Sequence, residues 1–181
     1  DRGFADKKNK FMTNIQTAME REMASEYSRK LSDEVFAGCV IISKQGYSAG
    51  GIACYGMERI LLNADKKFER VLKKGEHKSI SNARVTFRPA NDKTTQVVRN
   101  IFLRFDKGIS LDHIAESLND KKIPSAHGGK WNKQKILRIL TNETYIGTRI
   151  YNKTWGRLKQ KIRSNPRIEW VIKKDAFPEI I

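Results

Sequence analysis

Apolar residues recur at every fourth position through the first part of the chain. Phe11, Ile15, Met19, Met23, Tyr27, Leu31 and Val35 are each four apart. From about Asn9 to Phe36 there is no glycine or proline and helix formers dominate, so the pattern predicts a long helix. A straight helix repeats every 3.6 residues, so a strict four-residue spacing drifts by roughly 40° per step around the axis. The stripe winds, and the two ends of the helix are expected to face different partners. A helix buried within one compact domain is the plainer alternative, and it would carry a straighter stripe.

The pattern then changes. Gly38 to Gly56 reads GCVIISKQGYSAGGIACYG and holds five glycines (38, 46, 50, 51 and 56), which predicts a loop or linker. Glu58–Asn63 and Arg84–Pro89 alternate apolar and polar residues, as two strands of a small antiparallel sheet do. The charged segment Ala64–Asn82 is too long for a tight hairpin; it either carries a third strand or is mobile. Three amphipathic helices follow. Thr94–Asp106 places Val97, Val98, Ile101, Phe102 and Phe105 on one face, and Gly108 ends it. Ser110 is suited to cap a second helix that buries Leu111, Ile114, Ala115 and Leu118. Asn132 is suited to cap a third, with Ile136, Leu137 and Leu140 as its inward stripe. Tyr145–Asn152 and Ile168–Lys173 read as strands. The fold class is therefore α+β: a long N-terminal helix, then a small mixed domain of three or more helices with short antiparallel strands.

Charge changes this picture. The chain of 181 residues carries a formal net charge of +16, with 36 Lys and Arg against 20 Asp and Glu. Such an excess repels itself unless a polyanion compensates it, so nucleic acid leads a membrane surface as the expected partner. The excess is also localised. Between Lys130 and Arg163 stand Lys130, Lys133, Lys135, Arg138, Arg149, Lys153, Arg157, Lys159, Lys161 and Arg163, with Glu143 the one acid. A solvated helix normally mixes signs, because opposite charges four residues apart support each other. In the third helix Lys133, Gln134, Lys135, Arg138 and Thr141 share the outer face. Lysine and arginine supply phosphate contacts, while Asn132, Gln134, Arg138 and Asn142 are types able to read base edges in a major groove. The connection Asp120–Lys130 exceeds the usual turn of about 3–4 residues, so this is no plain helix-turn-helix. Ile123 and Pro124 are expected to pack it as an ordered loop. Trp131 is expected to anchor the third helix in the core; stacking on a ligand is the sharper alternative.

Other chemistry is sparse. Cys39 and Cys54 lack the second pair that a zinc site needs, and free, partly buried thiols are expected. His77, His113 and His127 are scattered. Glu22 and Glu26 share a helix face, where a solvated or salt-bridged pair is the ordinary outcome. No metal and no cofactor are expected. No apolar run is long enough to span a bilayer and no signal-peptide pattern occurs, so a cytoplasmic protein is expected.

Several segments, in order, resemble the middle of a large serine recombinase. AMEREMASEYSRKLSDEVFAG (Ala18–Gly38) is similar to the end of the long helix that closes a resolvase-type catalytic domain. GGIACYG (Gly50–Gly56) resembles the family's GG-x-x-PYG linker, with Cys54 in place of the usual proline and Met57 where an aromatic is frequent. VVRNIF (Val97–Phe102), SLDHIAESLN (Ser110–Asn119), GGKW and ILTNETYIG (Ile139–Gly147) resemble the hallmarks of the recombinase domain. The resemblance implies three parts: residues 1–38 from the catalytic domain, a linker over 39–56 and a DNA-binding recombinase domain over 57–181. It implies subunit pairing through Ile15, Met19 and Met23, a DNA-backbone approach by Arg29 and Lys30, and a minor-groove path for Gly50, Gly51 and Tyr55. In the family a serine attacks a DNA phosphodiester and forms a phosphoserine link. That nucleophile lies before the long helix, and Ser25, Ser28 and Ser32 match no nucleophile motif. A fragment that binds double-stranded DNA without cutting it is therefore expected, without the zinc ribbon and coiled coil that usually follow.

The reading is thus a site-specific recombinase fragment of a mobile element, self-associating through the long helix in the intact protein. It would recognise an attachment half-site and hold the catalytic domain over the crossover. Its rivals are a regulatory or RNA-binding module without recombination, a nuclease using Glu22 and Glu26, and an assembly module.

Overall fold

The computed structural model describes residues 2–73, 75–78, 82–158 and 160–181, with residues 2–9 described by backbone alone. Helix α1 spans Arg2–Lys44. It runs straight through Gly38, where the sequence pattern predicts a loop. A glycine inside a helix costs only about 1 kcal/mol, and tertiary packing outweighs it. Cys39, Val40 and Ile42 are half-buried, Ser43 is buried, and the end of α1 packs on two short strands near the carboxyl end. The helix stops at Gly46 (φ +88°), where Gly46 N–H donates to Ser43 O and Tyr47 N–H to Ile42 O. Glycine in the left-handed conformation closes a helix in this way.

The four-residue stripe does not enter the core. Phe11, Ile15, Met19, Met23, Tyr27, Leu31 and Val35 are all exposed, Met23 at 68%. The buried-helix alternative is thereby excluded for these residues. Contacts of α1 with the rest of the fold concentrate in its last turns.

Strands β1 (Met57–Leu62), β2 (Phe68–Leu72) and β3 (Arg84–Pro89) form an antiparallel sheet in the order β2-β1-β3. The charged segment after β1 thus does carry a third strand; its residues 74 and 79–81 lie outside those described. The register pairs Leu61 with Val85 and Ile60 with Thr86. Leu61, Leu72, Ala83 and Val85 make a small satellite core. The main core joins Met57 and Phe87 from the sheet to α2 (Lys93–Asp106), α3 (Leu111–Asp120) and α4 (Lys133–Leu140). Val98, Ile101, Ile114, Leu118, Trp131, Ile136, Tyr145 and Phe177 are buried there.

The caps follow the sequence. Ser110 Oγ accepts from His113 N–H, and Asn132 Oδ1 accepts from Lys135 N–H. The expected stripes need two corrections. Phe105, in the last turn of α2, projects past the core and is exposed. In α4 the buried pair is Ile136 and Ile139; Leu140 is half-buried and Leu137 is 40% exposed. Residues three apart lie one above the other, and the helix is too short to bury a wider stripe.

The strands after α4 are shorter than the pattern predicts. Glu143–Ile146 is a single 3-10 turn, ended by Gly147 (φ +73°). Tyr145 is drawn into the core, and β4 begins only at Arg149 (Arg149–Tyr151). Next, β5 (Thr154–Trp155) and β6 (Arg163–Ser164) pair as a small hairpin within the basic loop. Arg167–Glu169 is another 3-10 turn, and β7 (Val171–Lys173) pairs antiparallel with β4.

Candidate nucleic-acid interface

Helix α4 carries Lys133 and Lys135 in its first turn and no acid there. A helix N-terminus is the positive end of the backbone dipole, so lysines at this end oppose the helix's own stability. Among the described residues, Arg138 and Gln134 have no ion-pair or side-chain hydrogen-bond partner, and both side chains are exposed. Lys133 Nζ lies 4.0 Å from Asp112 Oδ2, a loose and solvated pair. Among the described residues, this face therefore presents positive charge with only that loose ion pair against it.

Lys135 behaves differently. Its ammonium lies 3.0 Å from Ser125 Oγ and donates to Lys130 O at 2.6 Å. It is a strut between α4 and the α3–α4 connection. That connection is ordered, as Ile123 and Pro124 suggested. Ile123 N–H donates to Leu118 O, and Ser125 N–H to Gly129 O. Trp131 is 4% exposed and its indole N–H donates to Ile123 O at 2.9 Å. Asn119 clamps the same residue, its Oδ1 accepting from Trp131 N–H and its Nδ2 donating to Trp131 O. Trp131 is an anchor, and a ring so buried has no face left for a ligand.

The linker docks beside α4. Gly50 (φ +140°) and Gly51 (φ +85°) occupy backbone conformations that favour glycine, with open space where a side chain would stand. Tyr55 packs edge-on against Trp131, with ring centroids 5.2 Å apart, and its hydroxyl donates to Pro124 O. The Tyr145 hydroxyl donates to Tyr55 O at 2.8 Å. Burial pushes the Tyr145 and Cys54 pKa values up, so both stay protonated at neutral pH. Both cysteines are free and half-buried. Between linker, sheet and α4 lies a groove of about 750 Å³, lined among others by Ile52, Tyr55, Lys73, His127, Arg138 and Asn142. The structure thus places linker and α4 on one concave surface. His127 was not singled out by the sequence, because a lone histidine in a glycine-rich loop has no periodicity to mark it.

Other expected contacts sit elsewhere. Arg149 lies 5.0 Å above the Phe87 ring and donates to Ser48 Oγ at 3.2 Å, and burial lowers its pKa. It holds the start of the linker to the sheet, where Ser48 N–H also donates to Val85 O. Lys153 is exposed and its ammonium lies 5.1 Å from the Trp170 ring centroid. Lys159 lies outside the described residues. Arg29 and Lys30 are on the exposed part of α1, 3.8 Å from Glu22 and 3.9 Å from Glu26 respectively. Those glutamates are salt-bridged along the helix, and among the described residues no group of three His, Cys, Asp or Glu is placed to hold a metal.

The Recombinase family model matches residues 92–181, from the Asp92 cap of α2 to the end of the chain. This segment is a Recombinase domain. Such a domain is typical of large serine recombinases and is involved in DNA binding and recombination. The Recombinase domain shares its core with β1 and β3, through Met57 and Phe87, although the sheet lies before the matched segment. No solved structure matches the chain. Among the described residues, no helix is long and apolar enough to cross a membrane.

Proposed function

We propose that this chain recognises one half-site of a DNA attachment sequence and positions a serine-nucleophile catalytic domain over the crossover. The observation that carries the reading is the one-signed outer face of α4, with Arg138 unpaired among the described residues and Lys133 only loosely paired, inside a Recombinase domain. Lys130, Lys133, Lys153 and the Arg138 guanidinium would grip phosphates, and Asn132, Gln134, Arg138 and Asn142 would reach base edges from the major groove. Gly50 and Gly51 would let the linker approach the minor groove closely, with Tyr55 fixing its path. Arg29 and Lys30 would meet the backbone further along. Ile15, Met19 and Met23 would pair subunits. The intact protein would act in the cytoplasm, integrating a mobile element.

The test is binding of the chain to duplexes drawn from the flanks of its gene, titrated with salt. Replacing Lys133 and Arg138 together with alanine should lower the slope of log K against log salt by about 2. An unchanged slope, or preference for structured RNA over every duplex, would overturn the reading.

A further inference from the structure

Arg157 belongs by sequence to the basic run assigned to DNA, but the fold takes most of its side chain out of solvent. Its side chain is 22% exposed. Its guanidinium lies 3.9 Å from the Phe36 ring centroid on α1 and 4.2 Å from the Trp155 ring centroid on β5. Nη1 donates to Asp33 Oδ1, also on α1, at 2.6 Å. A planar guanidinium contacting two rings and bonded to a carboxylate on one helix is held in one orientation, which a lysine cannot reproduce. Around it, Phe36 also meets Tyr151 of β4, with centroids 6.0 Å apart. Trp155 in turn lies 5.6 Å below Arg163 and is hydrogen-bonded through Nε1 to Gln160.

We infer that Arg157 is a positioning residue: a latch that sets the direction in which α1 leaves the Recombinase domain and holds the β5–β6 hairpin against α1. Asp33 and Phe36 are its receiving side, and Trp155 is the hairpin's side. The latch itself needs no DNA. Its consequence for recombination rests on the function proposed above, since α1 would then carry the catalytic domain and the hairpin would present Lys161 and Arg163 to the duplex.

The experiment measures distances in the full chain. Spin labels are placed at two exposed positions, Arg21 on α1, off the apolar stripe, and His113 on α3, in a background with Cys39 and Cys54 replaced by serine, and the labelled chain is diluted into unlabelled chain so that only distances within one copy are read. Arg157→Ala and Arg157→Lys should each broaden a single narrow distance distribution at least twofold without DNA. Asp33→Asn, at a side chain 76% exposed and so harmless to the core, should broaden it less. Circular dichroism shows whether each variant is folded, and Asp33→Asn carries the test if Arg157→Ala is not. A distribution unchanged in the folded variants overturns the latch. The salt dependence of duplex binding is read separately. For Arg157→Ala the slope should stay within error of the parent, whereas a fall of about one unit would mark Arg157 as a phosphate contact and overturn the assignment. If no variant or parent binds duplex, the proposed function fails while the distance result still decides the latch.

Discussion

Gly147 shows how one backbone conformation steers the chain from the candidate interface back into the core. It stands at φ +73°, and a Cβ added there would meet Phe177 O at 2.7 Å. That oxygen belongs to main chain and cannot swing away. Beside it, Thr148 is buried, and Ala176 N–H donates to Gly147 O at 2.9 Å. Gly147→Ala combines left-handed strain with overlap, and should destabilise the fold by roughly 2–4 kcal/mol. Urea unfolding measures this; a loss under about 1 kcal/mol would mean that the turn relaxes freely.

At the scale of elements, α4 divides its lysines between two tasks. Lys135→Ala removes a charged donor from Ser125 Oγ and Lys130 O, and should cost about 1–3 kcal/mol. Lys133→Ala touches only a loose ion pair, and should change stability by no more than about 0.5 kcal/mol. The salt slope of duplex binding should respond in the opposite order, falling by about 0.9 for Lys133→Ala and holding for Lys135→Ala. Equal behaviour of the two variants in both assays would refute the division. Sequence could not separate them, because both are lysines on the outer arc of one short helix. What separates them is the α3–α4 connection, whose fold depends on the distant bonds of Trp131.

The same contrast runs through the elements generally. Arg84–Pro89 and the caps Ser110 and Asn132 were legible because local pattern and tertiary environment agree there. The end of α1 was not, because packing on β4 and β7 overrides Gly38. Tyr145 was not, because an aromatic flanked by Thr144 and Ile146 suits a strand, while its hydroxyl is claimed by Tyr55 O across the sequence. For the candidate interface, the charge on α4 could be read from the sequence. The seating of Arg149 over Phe87 and of Arg157 over Phe36 could not, since those rings come from other elements.

For the molecule as a whole, the stripe along α1 is exposed apolar surface from Phe11 to Met23, while Tyr27, Leu31 and Val35 further on line a groove with Tyr151, Arg157 and Leu158. In the proposed reading a second copy covers it. Light scattering should then show mass rising with concentration, and Met19→Glu with Met23→Glu should hold the chain monomeric while leaving its duplex affinity per subunit within about twofold, as surface substitutions far from a contact do. A mass that stays at the monomer value at all concentrations would remove self-association through α1.

The length of α1 adds a mechanical consequence. From Lys10 to Phe36 the helix extends about 39 Å at 1.5 Å per residue, while its contacts with the body gather at the far end. It is a lever pivoted near Phe36. Each degree of rotation at the pivot displaces the Lys10 end by about 0.7 Å. Reaction centres tolerate misplacement of only about 1 Å before rates fall a hundredfold. If a catalytic domain rides on this lever, a tilt of one or two degrees at a single arginine's seat is enough to separate an aligned recombinase from an idle one.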